Sequence, residues 1–209
     1  MSLILPKIYA ITDRQLSGLD HAEQVKRLID GGATLIQLRE KRLSSGDFLR
    51  EAEAAWRVAN DNHVALIIND RVDIAIAIDA TGVHLGQDDL PIEAARPLMT
   101  KPCVVGYSTH TLEQIKAAAR FPITYLAFGP VFATGTKPEH EPVVGLNRLR
   151  EAKQISNHLP LVAIGGITAA NVREVLEAGA DSVAVISAVV GDPGKITQNM
   201  QRILHLAND

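Results

Sequence analysis

Eight short apolar runs recur along this chain, and their recurrence constrains the fold more than any other feature. They are "KIYAITD" (7–13), "TLIQLRE" (34–40), "ALIIND" (65–70), "GVHLG" (82–86), "CVVGYS" (103–108), "YLAFGP" (125–130), "LVAIGGI" (161–167) and "SVAVISA" (182–188). Several are nearly unbroken β-branched stretches, as expected of parallel strands buried on both faces. Between them lie helical signals. "DHAEQVKRLIDGG" has an Asp cap and a Gly stop, and "SSGDFLREAEAAWRVANDN" carries apolar residues at helical spacing. "THTLEQIKAAAR" and "TAANVREVLEAGA" open on a Thr followed by an early acid, and "PGKITQNMQRILHLA" closes the series. Two phrases repeat, "DGGATLIQL" (30–38) and "EAGADSVAV" (177–185), each reading as helix end, Gly stop, Ala, then strand.

Spread over 209 residues, eight strand-then-helix units take about 26 residues each, the arithmetic of a compact (β/α)8 TIM barrel. An open doubly wound sheet is the alternative. It carries a glycine-rich fingerprint after its first strand, and here that strand ends "AITDRQLSG". No linker or composition shift divides the chain, so residues 1–209 are expected to form a single domain. Aromatics are only 4% of the residues, so the core must be aliphatic. The net charge of −3 and the lack of a basic tract argue against a nucleic-acid partner. The one cysteine, Cys103, excludes an intrachain disulfide framework and reads as a small core residue. The start "MSLILPKIYAITD" lacks the charged leader and long apolar segment of a signal peptide. No apolar run reaches the ~18 residues of a membrane span. A cytoplasmic protein is expected, with homo-oligomerisation left open.

Barrel enzymes build their sites at the C-terminal ends of the strands, and there the chemistry-bearing residues collect. Gln37, Arg39 and Lys41 alternate along the second strand end, so they share one face. Asn69 and Asp70 close the third run, Asp88 and Asp89 follow the fourth, and Ser108 ends the fifth. After the sixth comes "FGPVFATGTKPEHEP" (128–142), which carries Thr134, Gly135, Thr136 and Lys137. An ordinary α/β connection needs only about 2–6 residues, so a longer loop with hydroxyls and a cation suggests a function. Arg39, Lys41 and Lys137 would repel one another without an anion between them. Asp70 and Asp89 are hard oxygen ligands, and Mg²⁺ is usually held by one or two carboxylates with phosphate oxygens and water. Together they suggest a Mg²⁺-bound pyrophosphate. "AIGGIT" with Gly166 and "AVISAV" with Ile186 and Ser187 close the last two runs, where barrels often bind a phosphate. Two phosphorylated small-molecule substrates are implied, or one bisphosphorylated one.

Plainer readings stand beside these. Arg39 and Lys41 could pair with Asp20 or Glu51 as a charged strand end. "NDR" (69–71) could be a helix cap, Asp88-Asp89 a turn, and Gly165-Gly166 a tight turn. His84 reads as a satisfied core or rim histidine, while His110 could flank the site or cap a helix. Zinc-type Cys/His spacing and the G-x-S-x-G nucleophile elbow are both missing from the sequence.

"YAITD", "IQLREK", "IINDRVDIA", "GVHLGQDDLP", "GYSTHT", "FGPVFATGTK", "AIGGIT" and "AVISAV" occur in the order and spacing of the thiamine phosphate synthase family, and the chain resembles that family from about Lys7 to Val190. The resemblance implies a (β/α)8 barrel that joins hydroxymethylpyrimidine pyrophosphate to a thiazole phosphate, with Mg²⁺. It implies that Gln37, Leu38, Arg39, Glu40, Lys41, Asn69, Ser108 and Lys137 hold the pyrimidine pyrophosphate. Arg39, Lys41, Ser108 and Lys137 would be the catalytic set. Asp70 and Asp89 would ligate the metal, and Thr134, Gly135, Thr136, Gly166, Ile186 and Ser187 would hold the thiazole phosphate. The family's mechanism is dissociative, through a pyrimidine cation. The chain departs from the family in reading Thr124-Tyr125 where an Asp-Tyr pair is usual, which should affect packing alone. Arg42 adds a cation of no evident purpose. The nearest competitor is the thiazole tautomerase-like branch, which lacks parts of the pyrophosphate and metal set and tends to carry a histidine where this chain has Pro130. A non-catalytic phosphate-ligand binding barrel competes as well, as does a phosphosugar isomerase with Asp13 or His84 as its acid/base.

Overall fold

In the computed structural model, which describes residues 5–136 and 141–209, every one of the eight apolar runs becomes a strand. In chain order the elements are β1 (Ile8–Asp13), the single turn α1 (Arg14–Ser17), α2 (His21–Asp30), β2 (Leu35–Arg39), α3 (Ser45–Asp61), β3 (Ala65–Asn69), α4 (Val72–Ala77), β4 (Gly82–Leu85), α5 (Ile92–Leu98), β5 (Val104–Thr109), α6 (Leu112–Ala118), β6 (Tyr125–Phe128), α7 (Gly145–Ile155), β7 (Leu161–Ile164), α8 (Val172–Glu177), β8 (Ser182–Val185), the turn α9 (Ser187–Val190), a 3-10 turn (Pro193–Lys195) and α10 (Ile196–Asn208). Each strand pairs in parallel with the next, and β8 pairs with β1, so the sheet closes into a barrel and the open doubly wound alternative falls. Among the described residues no helix is long and apolar enough to cross a membrane.

Strand parity sorts the side chains into two cores, because neighbours along a strand face opposite ways. Tyr9, Ile11, Leu35, Ile67, Val104, Tyr125, Val162 and Ala184 fill the barrel interior. Ile8, Ala10, Ile36, Leu38, Leu66, Ile68, Val83 and Val105 point outward and pack beneath the helices. The same parity carries on to the strand ends, so Gln37 and Arg39 continue the inward line that begins at Leu35.

The N-terminal end of the barrel is pinned by side chains that accept a main-chain hydrogen bond from the preceding strand. Thr81 Oγ1 takes the N–H of Leu66 (3.1 Å), Thr124 Oγ1 that of Val105 (3.0 Å), and Asp181 Oδ2 that of Leu161 (2.7 Å). Thr124 therefore does more than pack: it satisfies a strand end. Helix exits follow one pattern as well. Ala33 N–H returns to Leu28 O, Val64 to Ala59, Ala80 to Ala75 and Ala180 to Val175, each five residues back, closing α2, α3, α4 and α8 in the manner of a Schellman motif. This is the shared geometry behind the two repeated phrases of the sequence. The helices α4, α5 and α7 carry no side-chain cap at their N-termini, and α5 contains Pro97.

Candidate active site

The strands stop slightly short of the runs that predicted them. β7 ends at Ile164 and β8 at Val185, so Gly165-Gly166 and Ile186-Ser187 leave the sheet as connections at its C-terminal mouth. Two cavities open there. One, of about 430 Å³, is bordered by Gln37, Arg39, Lys41, Asn69, Asp70 and Asp89. The other, of about 390 Å³, is bordered by Thr134, Thr136, Gly165, Gly166, Ile186 and Ser187. Ser108, His110, Ala127, Ile164 and Ile186 border both. Molecules held in the two spaces would lie against a common wall.

The first cavity is charged at its rim and neutral at its floor. Arg39 Nη1 donates to Asp13 Oδ2 at 2.6 Å, with side chains only 13% and 7% exposed. The partners expected from sequence, Asp20 and Glu51, are engaged elsewhere. Asp20 caps α2 through Glu23 N–H (2.8 Å), and Glu51 accepts from His21 N–H (3.0 Å) and faces Arg14 (3.5 Å). Arg39 Nε is buried without an acceptor. Lys41 Nζ donates to Asp70 Oδ2. Asp70 holds a left-handed backbone (φ 61°), which Asp tolerates better than most residues, and its N–H is tied to His84 O (2.8 Å). It is not the cap of α4. Asp89 curls back to accept from Gly86 N–H (2.7 Å), so the turn reading of that segment holds locally. Burial, and then the neighbouring Asp70 carboxyl, push the Asp89 acid above the usual range.

The floor is a buried chain of polar groups that was not apparent from the sequence. Gln37 Nε2 donates to Tyr9 Oη (2.9 Å), Tyr9 Oη lies 3.1 Å from Tyr125 Oη, Tyr125 Oη lies 2.9 Å from His84 Nδ1, and His84 Nε2 lies 2.8 Å from Ser108 Oγ. Burial raises both tyrosine hydroxyls, so they stay protonated. Each hydroxyl has one proton to give. One order of protons satisfies every link: from the Gln37 amide through Tyr9 and Tyr125 to His84 Nδ1, and from His84 Nε2 to Ser108 Oγ, with the His84 tautomer setting the direction of the last two. Gly106 makes room for this arrangement, since a Cβ there would lie 2.3 Å from Tyr125 Oη and 2.4 Å from His84 Nδ1. His84 is thus satisfied, as the plainer reading had it, but inside the site. The signal available in the sequence was parity: Tyr9, Tyr125 and His84 lie on the inward line with Gln37 and Ser108, and a buried hydroxyl needs a partner.

In the second cavity Thr134 Oγ1 accepts from Thr136 N–H (3.3 Å), a tight hydroxyl turn. It faces the glycine pair, whose φ values are 102° and 64°. A Cβ on Gly166 would sit 2.5 Å from Ala133 O, so glycine lets the two loops approach. Gly135 is exposed and borders neither cavity, contributing only the turn. His110 Nδ1 is held by Gly129 O (2.7 Å) on the shared wall, a flanking position and not a cap. Two positions predicted from the sequence turn away from the mouth. Leu38 packs under the helices, and Glu40 folds onto the main chain of residues 41–43. Both follow from parity, which sends 38 and 40 outward when 37 and 39 face in. Lys137 lies outside the described residues.

A family model described as thiamine monophosphate synthase matches residues 8–189. The chain belongs to the thiamine monophosphate synthase family. The thiamine-phosphate synthase of Koribacter versatilis is 45% identical over 208 residues, spanning 97% of this chain and 98% of that protein. That of Methanospirillum hungatei is 43% identical over 187 residues, 89% and 90% of the two chains. Among solved structures, the thiamine phosphate pyrophosphorylase of Pyrococcus furiosus superposes with a TM-score of 0.84 at 37% identity, covering 97% of both chains. A geranylgeranylglyceryl phosphate synthase from Thermoplasma acidophilum, at 16% identity and a TM-score of 0.71, shares the fold alone.

For a thiamine monophosphate synthase the metal question turns on Asp70 and Asp89. Among the described residues no group of three or more His, Cys, Asp and Glu converges on a metal position. Two neighbouring carboxylates, one of them raised by burial and then by the other, nevertheless fit a hard divalent cation whose remaining ligands would come from phosphate and water.

Proposed function

We propose that this chain condenses 4-amino-2-methyl-5-(diphosphooxymethyl)pyrimidine with 4-methyl-5-(2-phosphoethyl)thiazole, yielding thiamine phosphate and pyrophosphate, or with the carboxylated form of that thiazole, in which case CO2 is also released and a proton from solvent replaces it on the thiazole carbon. It would thus be a Mg²⁺-dependent transferase of thiamine biosynthesis, working in the cytoplasm. The observation that carries this reading is the pair of cavities sharing the wall of Ser108, Ala127 and Ile186, in a chain of this family. One cavity offers cations, carboxylates and a hydrogen-bonding floor. The other offers hydroxyls and a glycine turn.

The chemistry asks little covalent work of the protein. The methylene C–O bond breaks, its electron pair leaves with pyrophosphate, and the thiazole nitrogen lone pair forms the new C–N bond. No proton has to move in that step, so the Ser108–His84 pair is needed for positioning and not as a nucleophile and base. Magnesium held by Asp70 and Asp89 would supply charge neutralisation to the pyrophosphate when bound. Arg39 is already fixed by Asp13 and stabilises charge that builds on the leaving group. Lys41, held at Asp70, lies beside the same oxygens. Gln37, Asn69 and the Ser108 hydroxyl, oriented from below by His84, hold the pyrimidine ring in one pose. Thr134, Thr136, Gly166 and Ser187 anchor the thiazole phosphate so that its ring nitrogen faces the methylene carbon across the shared wall. Apolar Ile164 and Ile186 at that wall keep water from the cation. Arg39, Lys41, Asp70 and Asp89 surround one cavity, and Pro130 stands where the tautomerase-like branch tends to carry histidine. Both features favour the synthase.

The test combines the purified protein, both substrates and Mg²⁺, and follows thiamine phosphate and pyrophosphate together, with a chelator control. Metal-dependent formation of both products, lost in Asp89→Ala, is expected. A folded protein that forms neither would reject the synthase, and binding that survives Asp89→Ala without turnover in the wild type would favour a binding barrel.

A further inference from the structure

We infer that His21 is a positioning residue for the pyrophosphate half of the site, an inference that rests on the function proposed above. His21 opens α2 and is fully buried. It borders neither cavity, yet its ring joins two segments that build one of them. Nδ1 lies 2.8 Å from Thr12 Oγ1 on β1, and Nε2 faces Glu40 Oε2 at 3.5 Å, in the connection that follows β2.

Both contacts lead to residues 37–41. Thr12 Oγ1 lies 3.3 Å from Gln37 O and accepts from Arg39 N–H at 3.4 Å, so it is seated on the backbone that presents Gln37 and Arg39. Glu40 Oε1 accepts the N–H groups of Lys41 (2.8 Å), Arg42 (2.7 Å) and Leu43 (3.2 Å). Three donors on one oxygen make the bend from which Lys41 reaches Asp70. The Lys41 side chain is 47% exposed, so packing does little to aim it and the bend must.

The ring is held from both sides. Burial, aided by Arg14, outweighs Glu40 and Glu51, which favour the charged form, so the imidazole is neutral near pH 7. Thr12 Oγ1 has one proton and is placed to donate it to Gln37 O (3.3 Å), so the direction of its 2.8 Å contact with Nδ1 follows the ring tautomer. Nε2 is buried against Glu40 Oε2 at 3.5 Å without a hydrogen bond of its own. His21 therefore wedges between Thr12 and the second carboxylate oxygen of Glu40 and leaves the first to organise the bend.

Two replacements separate this role from packing. Asn at position 21 can reproduce the Nδ1 contact to Thr12 but is too short for Glu40, while Gln reaches toward Glu40. Binding of inorganic pyrophosphate with Mg²⁺, measured by calorimetry, and steady-state kinetics are compared with thermal stability. For His21→Asn, pyrophosphate affinity should fall about tenfold and KM for the pyrimidine substrate rise about tenfold, the size of one lost buried polar contact. KM for the thiazole phosphate should hold. His21→Gln should recover most of the loss although both variants are similarly destabilised. Equal shifts in the two variants, or lowered stability with wild-type pyrophosphate affinity, overturn the inference. If His21→Asn fails to fold, the near-isosteric Thr12→Val tests the other contact: it removes the Nδ1 partner seated on residues 37 and 39, should lower pyrophosphate affinity with the thiazole KM unchanged, and wild-type pyrophosphate affinity in it overturns the inference. A wild type that binds pyrophosphate without turnover rejects the synthase reading, and the His21 comparison is then decided by binding alone. A wild type that turns over with both variants unchanged rejects only the inference, and one that neither binds nor turns over rejects both.

Discussion

Replacing Gly106 by alanine is the smallest change that should damage the floor of the site. A Cβ at this position would stand 2.2 Å from Tyr125 Cζ, 2.3 Å from Tyr125 Oη and 2.4 Å from His84 Nδ1. Ordinary contacts of this kind lie beyond about 3.4 Å, so at least one ring must move by about 1 Å. Both rings belong to one hydrogen-bonded chain, and the His84–Tyr125 link is only 2.9 Å long. Overpacking of a filled core costs about 1–3 kcal/mol, and a buried polar pair that loses its bond costs about 1–3 kcal/mol. A total near 3 kcal/mol corresponds to a fall in Tm of roughly 6–12 °C for a chain of this size. His84 would also release Ser108 Oγ, so kcat should fall about tenfold, as for one charge-free bond lost at the reacting substrate. Thermal unfolding followed by circular dichroism reads the first effect, and the coupled pyrophosphate assay reads the second. A Tm within about 2 °C of wild type would refute the claim that this space is filled. A lowered Tm with unchanged kcat would refute the role given to the His84–Ser108 link.

Three further outcomes are expected. Gly166→Ala places a Cβ 2.5 Å from Ala133 O at a residue with φ 64°, a strain of about 1–2 kcal/mol. KM for the thiazole phosphate should rise about tenfold or more while KM for the pyrimidine substrate changes little; equal rises in both would refute the division of the cavities. Thr124→Val removes the acceptor of Val105 N–H and should cost about 1–2 kcal/mol, or roughly 2–8 °C in Tm, without altering kcat, while Thr124→Ser should retain most of the stability. Asp13→Asn takes the charge from the partner of Arg39 and loosens its aim. A fall of about tenfold in kcat/KM for the pyrimidine substrate should follow, and unchanged kinetics would mean that Arg39 is held by the cavity alone.

The barrel was legible because its signals are local. Eight apolar runs, two Gly-Ala-strand phrases and several capped helices each report on a few neighbouring residues, and each became the expected element. The helices α4, α5 and α7 were not read: α5 carries an internal Pro97, and none of the three has a side-chain cap, a lack that α8 and α10 share although the sequence showed them. The candidate site was legible in part, since parity and the rule of strand ends brought Gln37, Arg39, Lys41, Asn69, Asp70, Asp89 and Ser108 to one mouth. That much needed only the strand positions and a closed parallel sheet.

What tertiary structure alone decided was the choice of partner. Asp20 and Glu51 were the anions the sequence offered Arg39, and closure of β1 against β2 brought Asp13 to it instead. Tyr9 and Tyr125 are separated by 116 residues and meet because the barrel is round. His21 meets Glu40 because α2 packs across the β1–β2 edge. Apolar periodicity determines which way a side chain faces, because backbone geometry repeats every two or 3.6 residues. Which polar group satisfies which depends on distances across the closed sheet, and no local repeat encodes them.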